Sequence, residues 1–186
     1  MLRDIELLPA SEQWTKEAVA NHSGVKRGAC AVVLFPADER YVVKLTRSKR
    51  DFDALIHFSG SNPHFPIVHK HMENQARNED SIYHALLIER LAAARLESRA
   101  IADLVLRQDA GKHRPFGLIS AANNLRERRG RHKFPNSLAD ALQNLGVYAF
   151  IERLVVDLAN PDNWGLRPDG TLVALDLVHS SNELGG

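Results

Sequence analysis

The chain has 186 residues, and its 24 Lys and Arg against 23 Asp and Glu give a formal net charge of +1. Hydrophobic residues make up 44% of the sequence and charged residues 25%, values typical of soluble globular domains, which exclude a disordered tail, a collagen-like repeat and a disulfide scaffold. Its single cysteine, Cys30, excludes an intramolecular disulfide and a zinc site of the Cys₂His₂ type. The near-zero charge argues against nucleic acid as a partner, because a dedicated nucleic-acid binder is usually strongly basic.

The sequence also argues against a membrane partner. No apolar run approaches the roughly 20 residues that a helix needs to cross a bilayer. The N-terminal stretch carries Arg3, Asp4 and Glu6 among its apolar residues, whereas a signal peptide keeps that region free of charge. We therefore expect a cytoplasmic protein.

The first half of the chain alternates apolar runs with polar or glycine-containing breaks. Two β-rich runs around a short polar turn predict an antiparallel hairpin, and apolar residues at three- and four-residue spacing predict helices. The predicted elements are a helix over 11–21 capped by Ser11, hairpin strands over 29–35 and 41–45, a helix over 49–58, and strands over 67–72 and 81–89 joined by a loop over 73–80.

The second half is mainly helical and ends in a hairpin. The predicted elements are an alanine-rich helix over 91–106, a short helix over 116–125, a helix from Leu138 that is capped by Ser137, breaks at Gly146 and continues to Val156, and two short strands over 166–176. Strands early, helices in the middle and a hairpin at the end predict an α+β fold with segregated elements.

Candidate chemistry is concentrated near the C-terminus, in D-L-A-N-P-D-N-W-G-L-R-P-D-G-T-L-V-A-L-D, residues 157–176. A hairpin between Asn163 and Asp176 would bring the amide oxygen of one and the carboxylate of the other together. Such hard oxygen donors suit Mg²⁺ with bridging phosphates. The alternative is that Asp162-Asn163 and Asp169-Gly170 are ordinary turn residues.

Three upstream features extend this pattern. Val42-Val43-Lys44 places a lysine in a predicted strand, and Gly24 and Gly28 precede the hairpin that contains it. The helix that follows carries Asp51 and Asp53, either of which could pair with Lys44. Taken singly, these residues also fit a solvated strand edge, an ordinary glycine turn and a solvated helix start.

In this order the features resemble the protein kinase-like superfamily, and most closely its aminoglycoside-kinase-like and small phage-encoded kinase-like members. The resemblance spans about residues 23–178. It implies a minimal bilobal fold, with a β-rich nucleotide-binding lobe over 1–90 and a reduced helical lobe over 91–186 that is truncated after the metal-binding Asp.

The resemblance also implies ATP and Mg²⁺ as cofactors and a role for each matching residue. Lys44 would hold phosphates, Gly24 and Gly28 would cover them, Asp53 would support Lys44, Glu89 and Leu91 would border the adenine, Asn163 and Asp176 would bind metal, and Asp157 would orient the acceptor hydroxyl. The loop departs from the family pattern D-L-H-x-x-N: Leu158 stands where the acid is expected, and Asn160 stands where the His is expected. Either the loop has a one-residue insertion and Asp157 still serves, or the base is missing.

Two functions follow. The first is a phosphotransferase that moves the ATP γ-phosphate to a hydroxyl of a protein or small-molecule acceptor. The second is an inactive, pseudokinase-like protein of phage type that binds and inhibits or redirects a host protein, since few residues follow Asp176 for peptide-docking helices. Two minor features are His69-x-His71, a weak metal candidate, and the basic run 126–133, which fits either a solvated loop or contact with an anionic partner.

Overall fold

The computed structural model describes residues 4–94, 103, 115–127, 134–156, 158 and 160–179. The chain divides into two compact units, the first formed by Met1–Ile56 with Ile67–Arg90 and the second by His57–Pro66 with Leu91–Gly186. The α+β class is confirmed, because a six-stranded antiparallel sheet forms the first unit and helices with a three-stranded sheet form the second. None of the described helices is both long and apolar enough to cross a membrane.

All strand pairs of the first unit are antiparallel, in the order β1-β5-β6-β4-β3-β2. Its elements are β1 (Glu6–Leu7), α1 (Gln13–Asn21), β2 (Gly24–Arg27), β3 (Ala31–Phe35), β4 (Tyr41–Thr46), α2 (Lys49–Phe58), β5 (Val68–Arg77) and β6 (Ile82–Glu89). The last two residues of α2 are grouped with the second unit.

The two faces of this sheet differ because side chains alternate along each strand. One face buries Val32, Leu34, Val43 and Leu45 against apolar residues that include Ala18 of α1. The other face carries Lys44, which lies opposite Val33 on β3 and Leu86 on β6. Helix α2 packs on this second face, where its Phe52 ring lies 5.0 Å from the ring of His84. Lys44 therefore lies on the face that α2 covers, away from the apolar cluster around Leu34 and Val43.

The second unit combines an antiparallel helix pair with a small sheet. Its elements are β7 (Ala92–Ala93), α3 (Pro115–Glu127), α4 (Asn136–Ile151), β8 (Trp164–Leu166) and β9 (Leu172–Ala174). Arg126 and Asp140 form an ion pair of 2.6 Å at one end of the helix pair. The rings of Phe116 and Phe150 lie 4.9 Å apart at the other end. Strand β8 is central in the sheet order β7-β8-β9.

Three predicted boundaries were wrong. Strand β5 continues to Arg77 through the predicted loop 73–80, because a bulge with Asn74 at φ 53° lets Ala76 and Arg77 pair with both β1 and β6. Ala92 and Ala93 form β7 instead of starting a helix, because they pair with β8; residues 95–102 and 104–106 of the predicted helix lie outside the described residues. Helix α4 runs through Gly146 and ends at Ile151, before the predicted Val156. Burial of neighbouring residues such as Leu142 and Leu145 offsets the helix cost of about 1 kcal/mol for a glycine.

Both predicted serine caps were also wrong. The residue before α1 is Glu12, and Ser11 instead donates its hydroxyl hydrogen bond to backbone carbonyls of Leu8 and Gln75. The residue before α4 is Pro135, and Ser137 lies inside the helix with its hydroxyl 3.0 Å from a His64 nitrogen. Each hydroxyl group instead bonds to a residue distant in the sequence, Ser11 to Gln75 and Ser137 to His64.

Candidate functional site

Lys44 forms a buried ion pair with Asp51. Its Nζ lies 2.6 Å from Asp51 Oδ2, and the two side chains are only 7% and 1% exposed. A buried charge is costly unless it is paired, so each group holds the other in its charged form. The pair joins strand β4 to the first turn of α2.

The local sequence explains why α2 places Asp51 at this point. Ser48 precedes the helix, and its hydroxyl accepts a 3.2 Å hydrogen bond from the backbone N–H of Asp51. A serine cap bonded to the third helical residue is a preferred helix start. A carboxylate in the first turn is also favoured by the helix dipole. The cap thus fixes Asp51 where it meets Lys44.

Asp53, the other acid considered for this pair, contacts Lys49 instead. Lys49 lies one helical turn before Asp53, and its Nζ also lies 3.2 Å from Glu73 Oε1. The hydrogen bond that Lys49 donates to Asp53 raises the pKa of Lys49. All three side chains are about half exposed, so the structure places Asp53 in a surface network.

The two glycines before the Lys44 strand occupy different settings. Gly24 begins β2 opposite Phe35, and Gly28 lies in the β2–β3 turn with its N–H bonded to the Ala31 carbonyl at 2.8 Å. A Cβ added to Gly24 would come no closer than 3.7 Å to Phe35, and one added to Gly28 no closer than 3.6 Å to the Ala31 oxygen. These are ordinary contact distances, so packing within the chain does not require glycine at either position.

Glu89 and Leu91 lie on either side of the division between the two units. The backbone N–H of Glu89 donates to the Ile67 carbonyl at 3.1 Å, and the Glu89 carboxylate accepts from the Ile67 N–H at 2.8 Å. Leu91 packs against Gly165 so closely that a Cβ on Gly165 would lie 2.6 Å from Leu91 Cβ. The Glu89 N–H is thus already bonded within the first unit, and Leu91 is packed within the second.

Asn163 and Asp176 flank the open end of the β8–β9 hairpin. Asn163 ends a short 3₁₀ turn, Pro161–Asn163, which is capped by the Asn160 side chain through a 3.0 Å bond from the Asp162 N–H. The Asn163 carbonyl accepts a 2.8 Å hydrogen bond from the N–H of Leu175, the residue before Asp176. Asn163 is 9% exposed and the Asp176 side chain 31%. Backbone hydrogen bonds thus place Asn163 beside Leu175, and the convergence of the Asn163 amide with the Asp176 carboxylate stays a prediction.

The donor set at this end fits Mg²⁺ held together with a phosphate ligand. One amide and one carboxylate are few protein ligands, and Mg²⁺ usually takes one or two carboxylates with waters and substrate phosphates. Within the described ranges no group of three or more His, Cys, Asp or Glu is placed to hold a metal alone. The weak metal candidate His69-x-His71 is therefore not supported, and these rings instead contact Tyr41 and Phe52.

The closed end of the hairpin consists of turn residues. Gly170 has φ 85°, which favours glycine, and Asp169 Oδ1 accepts a 2.9 Å hydrogen bond from the Thr171 N–H. That hydrogen bond lowers the pKa of Asp169. The ordinary turn interpretation is thus correct for Asp169-Gly170.

Sequence reasoning missed His64, which anchors the hairpin. Its Nδ1 lies 2.6 Å from the Leu172 carbonyl, its Nε2 lies 3.0 Å from Ser137 Oγ, and its own carbonyl accepts from the Ala174 N–H at 3.0 Å. Because a carbonyl only accepts, Nδ1 carries the hydrogen and Nε2 accepts from the serine. Desolvation by burial lowers the pKa of His64 and keeps this neutral form.

Asp157 and the basic residues 128–133 lie outside the described residues. Leu158 is described and buried, and its carbonyl accepts a 3.0 Å hydrogen bond from Trp164 Nε1. The start of the Asn163 loop is therefore tied to strand β8.

No protein-family model matches the chain, and no curated protein matches it. Among solved structures, the chain is similar to the aminoglycoside phosphotransferase APH(3'')-Id from Streptomyces rimosus ATCC10970. The sequence identity is 16% and the TM-score 0.35, over 88% of this chain and 75% of that chain. At these values the function has to be argued from the residues of the site.

Proposed function

We propose that this chain is a kinase-like phosphotransferase that moves the ATP γ-phosphate to a hydroxyl of a protein or small-molecule acceptor, with Mg²⁺. The observation that carries the proposal is the buried ion pair between Lys44 of β4 and Asp51 of α2, 2.6 Å apart. In protein kinases a strand lysine pairs with an acid of the following helix, and catalysis requires that pair.

The sheet order supports the same interpretation. Without β1, the strands run β2-β3-β4-β6-β5, and α2 is inserted between β4 and β5. Lys44 therefore stands on the third of these strands, the second after the Gly28 turn, which is its place in the kinase pattern. Asp51 is one methylene shorter than the usual Glu, and the cap by Ser48 brings it close enough to pair.

Each proposed role belongs to a residue of this chain. Lys44 would bind phosphate oxygens, the backbone at Gly24 and Gly28 would approach them, and Glu89 and Leu91 would border the adenine. Asn163 and Asp176 would hold Mg²⁺, which when bound neutralises charge on the phosphate oxygens. Asp157 would accept the proton of the acceptor hydroxyl. Catalysis would consist of positioning and charge neutralisation.

The test compares two carboxylates of one hairpin. Mg²⁺-ATP at a hundred times its Kd should stabilise the wild-type chain by about 2.7 kcal/mol and raise its Tm by about 5 °C or more. Asp176→Asn should abolish the Mg²⁺-dependent part of this shift. The matched control Asp169→Asn, in the exposed turn, should keep it. No Tm shift in the wild-type chain at millimolar Mg²⁺-ATP would contradict the proposal.

Phosphate transfer from γ-labelled ATP distinguishes the catalytic from the inactive candidate. Asp157→Asn should keep the Tm shift and lose label transfer to added acceptor or to the chain itself. In the sequence, Asp157 stands one residue further from Asn163 than the family pattern requires. This spacing favours the second candidate, an inactive kinase-like protein that binds a host protein. Nucleotide binding without transfer or hydrolysis in the wild-type chain would support that candidate.

A further inference from the structure

Lys26 shares a sheet face with Lys44. Lys26 lies opposite Val33 of β3, and Val33 lies opposite Lys44 of β4. Residues directly opposite in antiparallel strands point to the same side. Neighbouring strands are 4.7–4.9 Å apart, so the two lysine backbones are about 10 Å apart on one face. Both side chains are long enough to reach a single polyphosphate.

The rest of β2 leaves this face bare. Gly24 is the strand position that alternates with Lys26 on this side, and Gly28 follows in the turn. Lys26 is thus the one side chain that β2 adds to the face with Lys44. Bare glycine backbone on both sides of a lysine lets an anionic ligand approach closely.

Lys26 and its neighbour Arg27 differ in whether their side chains form an ion pair. Arg27 points to the opposite side and forms two hydrogen bonds of 2.6 and 2.7 Å with Asp4. Lys26 is exposed, and its side chain forms no ion pair within the part of the chain that the structure describes. Asp51, the acid of α2 that meets this face at Lys44, is already paired there. The positive charge of Lys26 is therefore available to a ligand.

We propose that Lys26 is a second phosphate-binding residue, and that together with Lys44 it makes the site select nucleotides by the length of their phosphate chain. The inference rests on the proposed nucleotide-binding function. Lys26 lies two residues from both Gly24 and Gly28, so it occupies a glycine position of the pattern G-x-G whichever of the two glycines is aligned with it. At this position a lysine side chain, in place of glycine backbone, would contact the nucleotide phosphates. Because a longer phosphate chain can reach both lysines, the site favours triphosphates over diphosphates and monophosphates.

The test measures the affinities of wild type and Lys26→Met for ATP, ADP and AMP in Mg²⁺ buffer by calorimetry. Losing one charge-assisted contact should weaken ATP binding about tenfold, ADP less and AMP hardly at all. Lys26→Arg should retain most of the ATP affinity. The matched control is Lys70→Met: Lys70 is exposed on the same sheet but lies opposite Leu87, on the other face.

Each outcome has a distinct meaning. If wild type binds ATP, Asp176→Asn loses the Mg²⁺ effect, and Lys26→Met binds like wild type, the inference about Lys26 is wrong and the proposed function stands. If wild type binds no nucleotide, the proposed function fails first. Equal weakening of ATP, ADP and AMP in Lys26→Met would show a structural effect and would also overturn the inference. Raising the salt concentration should shrink the ATP difference between Lys26→Met and wild type, because the exposed charge is screened.

Discussion

The Lys44–Asp51 pair and the Asn163–Asp176 segment are held in different ways. The pair is fixed by two buried charges that satisfy each other across 2.6 Å. The segment is fixed by its backbone, through the Leu175 N–H to Asn163 carbonyl bond of 2.8 Å and the strand pairing beyond it. Its Asp176 side chain is 31% exposed and lies 3.8 Å from Nε2 of the buried His179, a longer contact than that of the Lys44–Asp51 pair.

This difference separates stability from function. Removing a side chain that fixes the structure lowers the free energy of unfolding. Removing a side chain from a segment that backbone hydrogen bonds hold in place lowers it much less. We therefore expect substitutions at the pair to change both stability and binding, and substitutions at Asp176 to change binding far more than stability. Each unit contains one tryptophan, Trp14 in the first and Trp164 in the second. Trp164→Phe and Trp14→Phe backgrounds thus report each unit separately in urea denaturation.

The largest effect is expected for Lys44→Met. The substitution leaves the carboxylate of Asp51, which is 1% exposed, without its cation, and breaking a buried pair typically costs about 3–5 kcal/mol. Trp14 fluorescence should show this loss of unfolding free energy. The double variant Lys44→Met with Asp51→Leu should recover most of it, because both charges are gone. A single variant as stable as wild type would show that the pair does not fix this unit.

The second effect concerns close packing in the other unit. In Gly165→Ala the new Cβ would lie 2.6 Å from Leu91 Cβ and 2.9 Å from Leu91 Cδ1. Overpacking of this kind costs about 1–3 kcal/mol, and Trp164 fluorescence should report the loss. Gly24→Ala is the control, because its Cβ would meet Phe35 only at 3.7 Å. Equal stability of the two variants would mean that Leu91 moves aside freely.

Local patterns were sufficient to predict the elements around the Lys44–Asp51 pair. Helix α2 was predicted over 49–58 and observed at Lys49–Phe58, because its apolar spacing and the serine before it act within the helix itself. The choice between Asp51 and Asp53 was not available from the sequence, because it depends on how the helix is rotated against the sheet. The same holds for the burial of Lys44, which in isolation fits a solvated strand edge.

Tertiary pairing explains what the sequence could not show in the second half. Ala92 and Ala93 are good helix formers, yet they pair with Leu166 and Gly165 as a strand. Ser137 has the residue type of a helix cap, but its hydroxyl bonds to His64, which is far away in the sequence. A histidine with no nearby partner gives no sequence signal, so the anchor of the hairpin was found only in the structure.

The next expected effect is a loss of stability in acid. Burial lowers the pKa of His64 and of His84 below the usual 6.5. For each histidine, at a pH between its folded and its unfolded pKa, the unfolded chain therefore binds more protons than the folded chain. The free energy of unfolding thus has its full value above about pH 6.5 and falls as the pH drops, by at most about 1.4 kcal/mol per pH unit for each histidine. His64→Gln should flatten the pH dependence seen by Trp164 alone, and His84→Gln that seen by Trp14 alone. Unchanged slopes would place the titration elsewhere.

The smallest change in stability is expected for Asp176→Asn. The substitution keeps the shape of the side chain and leaves the Leu175 to Asn163 bond and the β8–β9 pairing in place. The unfolding free energy reported by Trp164 should therefore change by no more than about 0.5 kcal/mol, the range of ordinary surface substitutions, as for the control Asp169→Asn. A loss of about 2 kcal/mol or more would mean that the carboxylate itself holds the hairpin. The contrast with Lys44 would then fail, and loss of nucleotide binding in Asp176→Asn would no longer indicate a metal ligand.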